Sequence, residues 1–486
     1  MLFHTWIFVL FFLVVYPVYL LVKKTRFKDV WLLIASYVFY AWWNPLYLFL
    51  IVYSTVIDYV AVVMMDRSRR KKRLWLVVSI VNNLGLLGFF KYAGFLTENL
   101  NYLIGRLGLQ YALPAPDVLL PVGISFYTFQ SMSYTIDFYR GRIKRERSFI
   151  RFATFVALFP QLVAGPIERA KNLLPQLRDT PHVTRRDVTD GLSLFLVGLF
   201  KKLALADYLA QYVDPVYAVP GNYQAPALMF ATFAFAWQIY LDFSGYTDMA
   251  RGIARVMGLR LMLNFNNPYL ATGLRDFWAR WHISLSTWFR DYVYIPLGGN
   301  RRGVFAMYCN IFITMVVSGF WHGAAWTMII WGGLHAVGMM LTRELERSAF
   351  YRERVPKFFK QIFVFVFAYF TWVFFRARSL GDAWLILKTI FTSFVHFTWA
   401  VFSAESLGDA WLILTETLTS GFTDSGFPLL ALGLVVAVWA YQLIYESKVK
   451  QVLTLAPVRV GLAVAMVLYI IVFSAAGDQP FIYFQF

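Results

Sequence analysis

Arg301-Arg302-Gly303 opens into VFAMYCNIFITMVVSGFWHGAAWTMIIWGGLHAVGMMLT (304–342), which closes on Arg343 and Arg347. This run has about twice the roughly 20 apolar residues that a helix needs to cross a bilayer. Basic residues flank it on both sides, and such residues mark cytoplasmic loops. A double-length block with both ends on one side reads as a helical hairpin, out and back. Its apex falls near Ser318–Gly323, where Gly319 and Gly323 bracket Phe320-Trp321-His322. Glycine on both sides permits a tight turn and close backbone approach. His322 therefore projects from the apex into a space shared with other helices.

The rest of the 486 residues has the same character. They are 59% hydrophobic and 15% charged, where a soluble domain carries about a quarter charged residues. Candidate spans fall near 3–22, 29–44, 46–65, 74–96, 117–137, 148–166, 190–213, 226–247, 304–320, 323–342, 358–377, 428–446 and 458–476. The expected fold is an all-α polytopic membrane protein of about eleven to thirteen transmembrane or re-entrant helices. The first stretch, MLFHTWIFVLFFLVVYPVYLLVKK, lacks a basic leader and a small-residue cleavage site, so it reads as a retained span. The net charge of +18 clusters between the apolar runs, at Lys23 and Lys24, at RSRRKKR (67–73), and at Arg301 and Arg302. That is a topology signal with an attraction to anionic membrane lipids, and it excludes nucleic acid as a partner. Cys309, the single cysteine, reads as a small buried apolar residue.

A second histidine lies in RDFWARWHISLSTWFRDYVYIPLGGNRR (275–302). Trp278, His282, Leu285 and Phe289 recur at helical spacing, which predicts one amphipathic helix lying in the bundle. This segment belongs to an arginine-rich stretch with Arg251, Arg255, Arg260, Arg275, Arg280 and Arg290, expected on the cytoplasmic side. An ionisable ring inside a membrane protein is costly and faces a bundle interior or a wet cavity. His335 is a further candidate, one helical face from His322. His4, His182 and His396 are isolated and carry no assignment. Polar islands interrupt other apolar runs: Ser125, Gln130, Ser133 and Asp137; Gln161 beside Gly165-Pro166; and Gln238, Asp242, Ser244, Tyr246 and Asp248. Such residues are tolerated where they line protein or water-filled cavities, so together they predict a polar tunnel. SLGDAWLIL occurs at 379–387 and at 406–414. Each copy opens on a Ser-x-x-Asp cap and reads as a short surface helix.

No metal-ligand constellation, phosphate loop, dinucleotide fingerprint or nucleophile elbow occurs. Histidine is the group left for proton transfer near neutral pH.

RDFWARWHISLSTWFRDYVYIPLGGNR (275–301) and VSGFWHGAAW (317–326) resemble the membrane-bound O-acyltransferase family, in its alginate O-acetylation branch. PVGISFYTFQSMSYTIDFYRG (121–141), FPQLVAGPIER (159–169), GLFKKLALAD (198–207), DFSGYTDMARGIARVMGLRLMLNFNNPYL (242–270) and GDQPFIYFQF (477–486) are similar to the same branch. The resemblance implies a ring of helices around a central tunnel, as one domain over 1–486. Its parts would be N-terminal spans (1–120), a catalytic core (121–345) and C-terminal helices (346–486). It implies His322 and His282 as the catalytic pair. Arg280, Trp281, Arg290, Asn300, Trp321, Gln238, Asp242, Ser244 and Gln130 are candidates for donor binding or the tunnel wall. It implies no bound cofactor and no metal. The donor substrate would be acetyl-CoA or another acetyl thioester. Periplasmic SGNH-type acetyltransferase partners would complete delivery to an exported polysaccharide, from a bacterial cytoplasmic (inner) membrane. A non-catalytic channel or exporter for polymer or acetyl groups is the alternative from another class, although no inverted repeat marks a transporter. Transfer to lipid, or of D-alanine, is an alternative within enzymes.

Overall fold

The computed structural model describes residues 1–116, 118–179, 181–404, 406, 408–409, 411–412, 429–473 and 481–482. Among them there is no strand, and every regular element is a helix. In order, the helices are α1 (Trp6–Val22), α2 (Lys28–Ala41), α3 (Leu48–Arg67), α4 (Lys72–Leu87), α5 (Ala93–Arg106), α6 (Ile124–Tyr139), α7 (Phe149–Ala157), α8 (Phe159–Leu162), α9 (Ala170–Arg178) and α10 (Arg185–Phe200). There follow α11 (Asp207–Ala218), α12 (Ala225–Val256), α13 (Leu274–Arg280), α14 (Ile283–Phe289), α15 (Gly303–His322), α16 (Trp326–Arg347), α17 (Lys357–Arg376), α18 (Leu380–Phe402), α19 (Leu429–Glu446) and α20 (Ala456–Phe473).

Eight helices among the described residues are long and apolar enough to cross a membrane: Pro45–Arg67, Lys72–Arg106, Ala225–Val256, α15, α17, α18, α19 and α20. The chain is a multi-pass membrane protein. The predicted spans at 117–137 and 148–166 are instead shorter helices, α6 to α8, joined by breaks, and those at 3–22 and 29–44 are helices of 17 and 14 residues; at 190–213, α10 and α11 run on through a π-helical turn at Lys201–Ala206. No residue of α20 is buried, as for a helix facing lipid all round. Nearly every residue of α6 is buried, as for one enclosed by protein.

Two expectations are corrected. SLGDAWLIL at 379–387 does not begin a short surface helix. Ser379 caps it, accepting the Asp382 N–H at 3.0 Å, but α18 then runs 23 residues. Ser406 likewise accepts the Asp409 N–H at 3.1 Å; the rest of that second copy lies mostly outside the described residues. Cys309 is exposed rather than buried.

The chain forms two compact units, residues 1–198, 246–264 and 284–292, and residues 199–245, 265–283 and 293–486. In the first, Asp58 of α3 is fully buried and accepts from Ser79 Oγ at 2.6 Å, from Asn83 Nδ2 at 2.9 Å and from Ser131 Oγ. Three neutral donors from α4 and α6 thus satisfy an intramembrane acid, and so hold three helices together. Gln130 is also in this unit. Its side-chain amide and that of Gln161 both donate to the Phe155 carbonyl, the Gln161 bond at 2.8 Å. Leu158 breaks the helix there with ψ 118°, so the two glutamines serve a carbonyl that has lost its helical partner.

Candidate active site

His322 is the last residue of α15, and the chain turns through Gly323–Ala325 into α16. The predicted hairpin is present, with its apex just beyond His322. Glycine sets how closely its arms pack. A Cβ on Gly319 would collide with the Met328 carbonyl oxygen, and one on Gly332 with the Met315 carbonyl oxygen. Small residues at such crossings let two membrane helices meet backbone to backbone.

The His322 side chain is 2% exposed. Trp321, Trp331 and Phe375 wall it, with ring centroids at 4.9, 5.3 and 5.4 Å and interplanar angles of 79°, 87° and 66°. These are edge-to-face arrangements, the favoured geometry for aromatic pairs. Such a low-dielectric enclosure strengthens any charge interaction made within it.

His282 departs from the prediction. The expected single amphipathic helix is broken into α13 and α14, seven residues each. His282 stands in the break with φ 43°. That left-handed conformation in a non-glycine residue costs about 1–3 kcal/mol, and such strain clusters at functional sites. The residue is fully buried rather than set on an arginine-rich surface. Its ring meets Phe243 at 4.7 Å and 88°, and lies 6.3 Å from both Phe265 and Trp321. Trp321 therefore touches both histidines. Trp331 plays the same part on the other side, 5.3 Å from His322 and 4.8 Å from His335. His335 Nε2 is 3.0 Å from Thr371 Oγ1 on α17. The three histidines form one row with a tryptophan between each pair.

The remaining candidates divide. Trp281 is buried, tilted on Trp372 at 4.9 Å and edge-on to Phe265 at 5.2 Å. Gln238 and Ser244 on α12 are buried, and Gln238 Oε1 and Ser244 Oγ have no hydrogen-bond partner among the described residues. Buried polar atoms in that condition call for an explanation such as a ligand or water. Asp242 is not a bare tunnel acid. Lys202 Nζ lies 3.0 Å from its Oδ1 and 2.7 Å from Asp207 Oδ1. The Ile482 N–H donates to Asp242 Oδ2 at 2.7 Å. GLFKKLALAD holds this lysine, but nothing local in the sequence pairs it with residue 242.

Arg280 does not offer a free guanidinium to a phosphate. It is bound to Asp276 at 2.8 Å and Glu446 at 2.6 Å. Asn300 is exposed and accepts from the Tyr294 hydroxyl. Arg290 and Gln130 belong to the first unit; Arg290 is exposed and pairs with its neighbour Asp291 at 2.9 Å. Among the described residues, no group of three His, Cys, Asp or Glu side chains is placed to hold a metal ion.

Residues 140–381, which include all three histidines of the row, match the model of the MBOAT, membrane-bound O-acyltransferase family. The chain is 42% identical over 396 residues to the probable alginate O-acetylase AlgI of Pseudomonas aeruginosa, covering 81% of this chain and 75% of that one. It is 37% identical over 395 residues to the peptidoglycan O-acetyltransferase of Helicobacter pylori, covering 75% and 74%. The teichoic acid D-alanyltransferase of Bacillus subtilis is 30% identical over 240 residues, covering 46% of this chain and 60% of its own. With identity above 30% across most of both chains, this protein belongs to the membrane-bound O-acyltransferase family and is a multi-pass membrane acyltransferase.

Proposed function

We propose that the chain moves an acetyl group from a cytoplasmic thioester, most simply acetyl-CoA, across a bacterial cytoplasmic membrane for O-acetylation of an exported polysaccharide. The observation that supports it best is His322, held at a hairpin apex inside an aromatic wall within the family-matched segment. His322 acts as general base on an acceptor hydroxyl, or carries the acyl group transiently. His282 positions the donor. The donor's phosphates fall to arginines free of carboxylates, since Arg280 is committed. The buried Gln238 and Ser244 line the passage. The whole chain works as one domain around that passage, and a periplasmic SGNH-type transferase receives the acetyl group and completes delivery.

Acetyl is favoured over D-alanine because relatives named as acetylating enzymes match about four-fifths of this chain, against under half for the D-alanyltransferase. The test is transfer of labelled acetyl from acetyl-CoA by the purified protein in lipid nanodiscs. His322→Ala should lower it by about 10²–10⁴-fold, the worth of general-base help, with the folded yield unchanged. Near-normal transfer would remove His322 from the mechanism. Labelled D-alanyl thioester giving faster turnover would replace the acetyl reading.

A further inference from the structure

A cavity of about 220 Å³ in the first unit is lined by Lys23, Lys24, Arg26, Lys28, Arg151 and Arg178, with Asp29 as the one acidic lining residue. It lies where the end of α1, the start of α2, the start of α7 and the end of α9 meet. Its frame is tightly built. Buried Lys28 donates through Nζ to the carbonyl oxygens of Leu177 and Asp179, both at 2.6 Å. Arg151 pairs with Asp29 at 2.9 Å and with Glu146 at 3.2 Å. Arg178 pairs with Glu146 at 2.8 Å. Two carboxylates thus answer Arg151 and Arg178. Lys23, Lys24 and Arg26 make no ion pair among the described residues, and they stand at the mouth of a cavity already floored with positive charge.

We propose that this cavity binds the phosphate group of an anionic membrane phospholipid. Two observations favour a lipid over a soluble phosphate compound. The volume is below the roughly 300–1,000 Å³ of sites that enclose drug-sized ligands, so it holds a headgroup and not a nucleotide-bearing donor. The helix leading into it also presents apolar side chains outward: Leu13, Val14, Leu20 and Leu21 of α1, followed by Phe27, are exposed. Acyl chains lying along that stripe would bring the headgroup to Lys23, Lys24 and Arg26. Clustered basic residues at the end of an exposed apolar helix are the physical signature of anionic-lipid attraction. Its test does not read activity.

The experiment is native mass spectrometry of the full-length protein, released from nanodiscs holding equal phosphatidylglycerol and phosphatidylcholine. The native protein should retain phosphatidylglycerol preferentially. The Lys23→Gln/Lys24→Gln/Arg26→Gln variant should lose that preference by roughly tenfold or more, since each cation near the surface contributes. Lys24→Gln alone, at an exposed position, should show a smaller loss in the same direction if the triple variant is poorly produced. Equal retention of the two lipids by the native protein overturns the proposal. So does unchanged preference in the variants. Loss of the bound phosphatidylglycerol on adding millimolar inorganic phosphate would assign the cavity to a soluble anion and also overturn it.

Discussion

The backbone N–H of Ile482 donates to Asp242 Oδ2 at 2.7 Å, joining two residues 240 positions apart. This bond anchors the end of the described chain to α12 and brings Phe481 within 5.8 Å of Phe243. Phe243 in turn meets His282 edge to face at 4.7 Å. The tail thus holds the ring that holds the histidine. Phe481→Ala should lower acyl transfer by about ten- to a hundredfold, the cost of loosening a positioned group. The melting temperature should move little. Full activity in that variant would show that Phe243 is held without the tail.

Lys202 is the second check on the same corner. Its ammonium sits between Asp207 and Asp242 with all three side chains buried. Removing one partner of a buried ionic group leaves uncompensated charge and costs about 3–5 kcal/mol. Lys202→Met should therefore abolish the monodisperse folded protein in size-exclusion chromatography. Adding Asp207→Asn and Asp242→Asn to it should recover much of the folded yield. A folded, thermally normal single variant would mean that water reaches these carboxylates.

Much of this architecture was legible in the sequence, and what was not has physical causes. The α15–α16 hairpin followed from two basic flanks and a double-length apolar run, both local signals. The break at Trp281–His282 did not. FWARWHISL contains neither glycine nor proline to mark the left-handed turn at His282, and the rings His282 packs against, Phe243 and Trp321, are distant in sequence. The Ser379 cap was readable. The full length of α18 was hidden by Lys388, Thr389, Thr392 and Ser393, which give it an amphipathic pattern. The site lacked its lysine for another reason: Lys202 and Asp242 are paired by the fold alone, 40 positions apart, and their motifs read as unrelated. Arginines of 251–302 read as available because sequence shows charge without partners; Glu446 is 166 positions from Arg280.

The hairpin permits a test with a built-in control. A methyl group at Gly319 would collide with a backbone oxygen, which cannot move aside as a flexible side-chain end can. At Gly333, on the same α16 arm as Gly332, an added Cβ meets the Phe312 ring at 3.7 Å and Val316 Cγ2 at 4.0 Å, both ordinary contacts. Gly319→Ala should separate the arms, displace His322 and cost at least about tenfold in acyl transfer. Gly333→Ala should be neutral in activity and melting temperature. Equal effects from the two would mean that the arms do not need backbone contact.

Glu168 provides the pH dependence. It is fully buried between α8 and α9, where burial pushes its carboxyl up from the ordinary 4.5 to about 7. Hydrogen bonds from the Met262 N–H and from Asn172 Nδ2, the latter at 2.6 Å, oppose the shift without cancelling it. The folded protein then binds this proton more tightly than the unfolded chain does. The corresponding stability is fully present below about pH 4.5 and is lost as pH rises toward 7. Glu168→Gln keeps an oxygen for the Met262 N–H and removes the titration. The difference in melting temperature, native minus variant, should therefore fall between pH 5 and pH 8 and level off above. Parallel melting curves for the two proteins across that range would show that Glu168 stays ionised in the folded state.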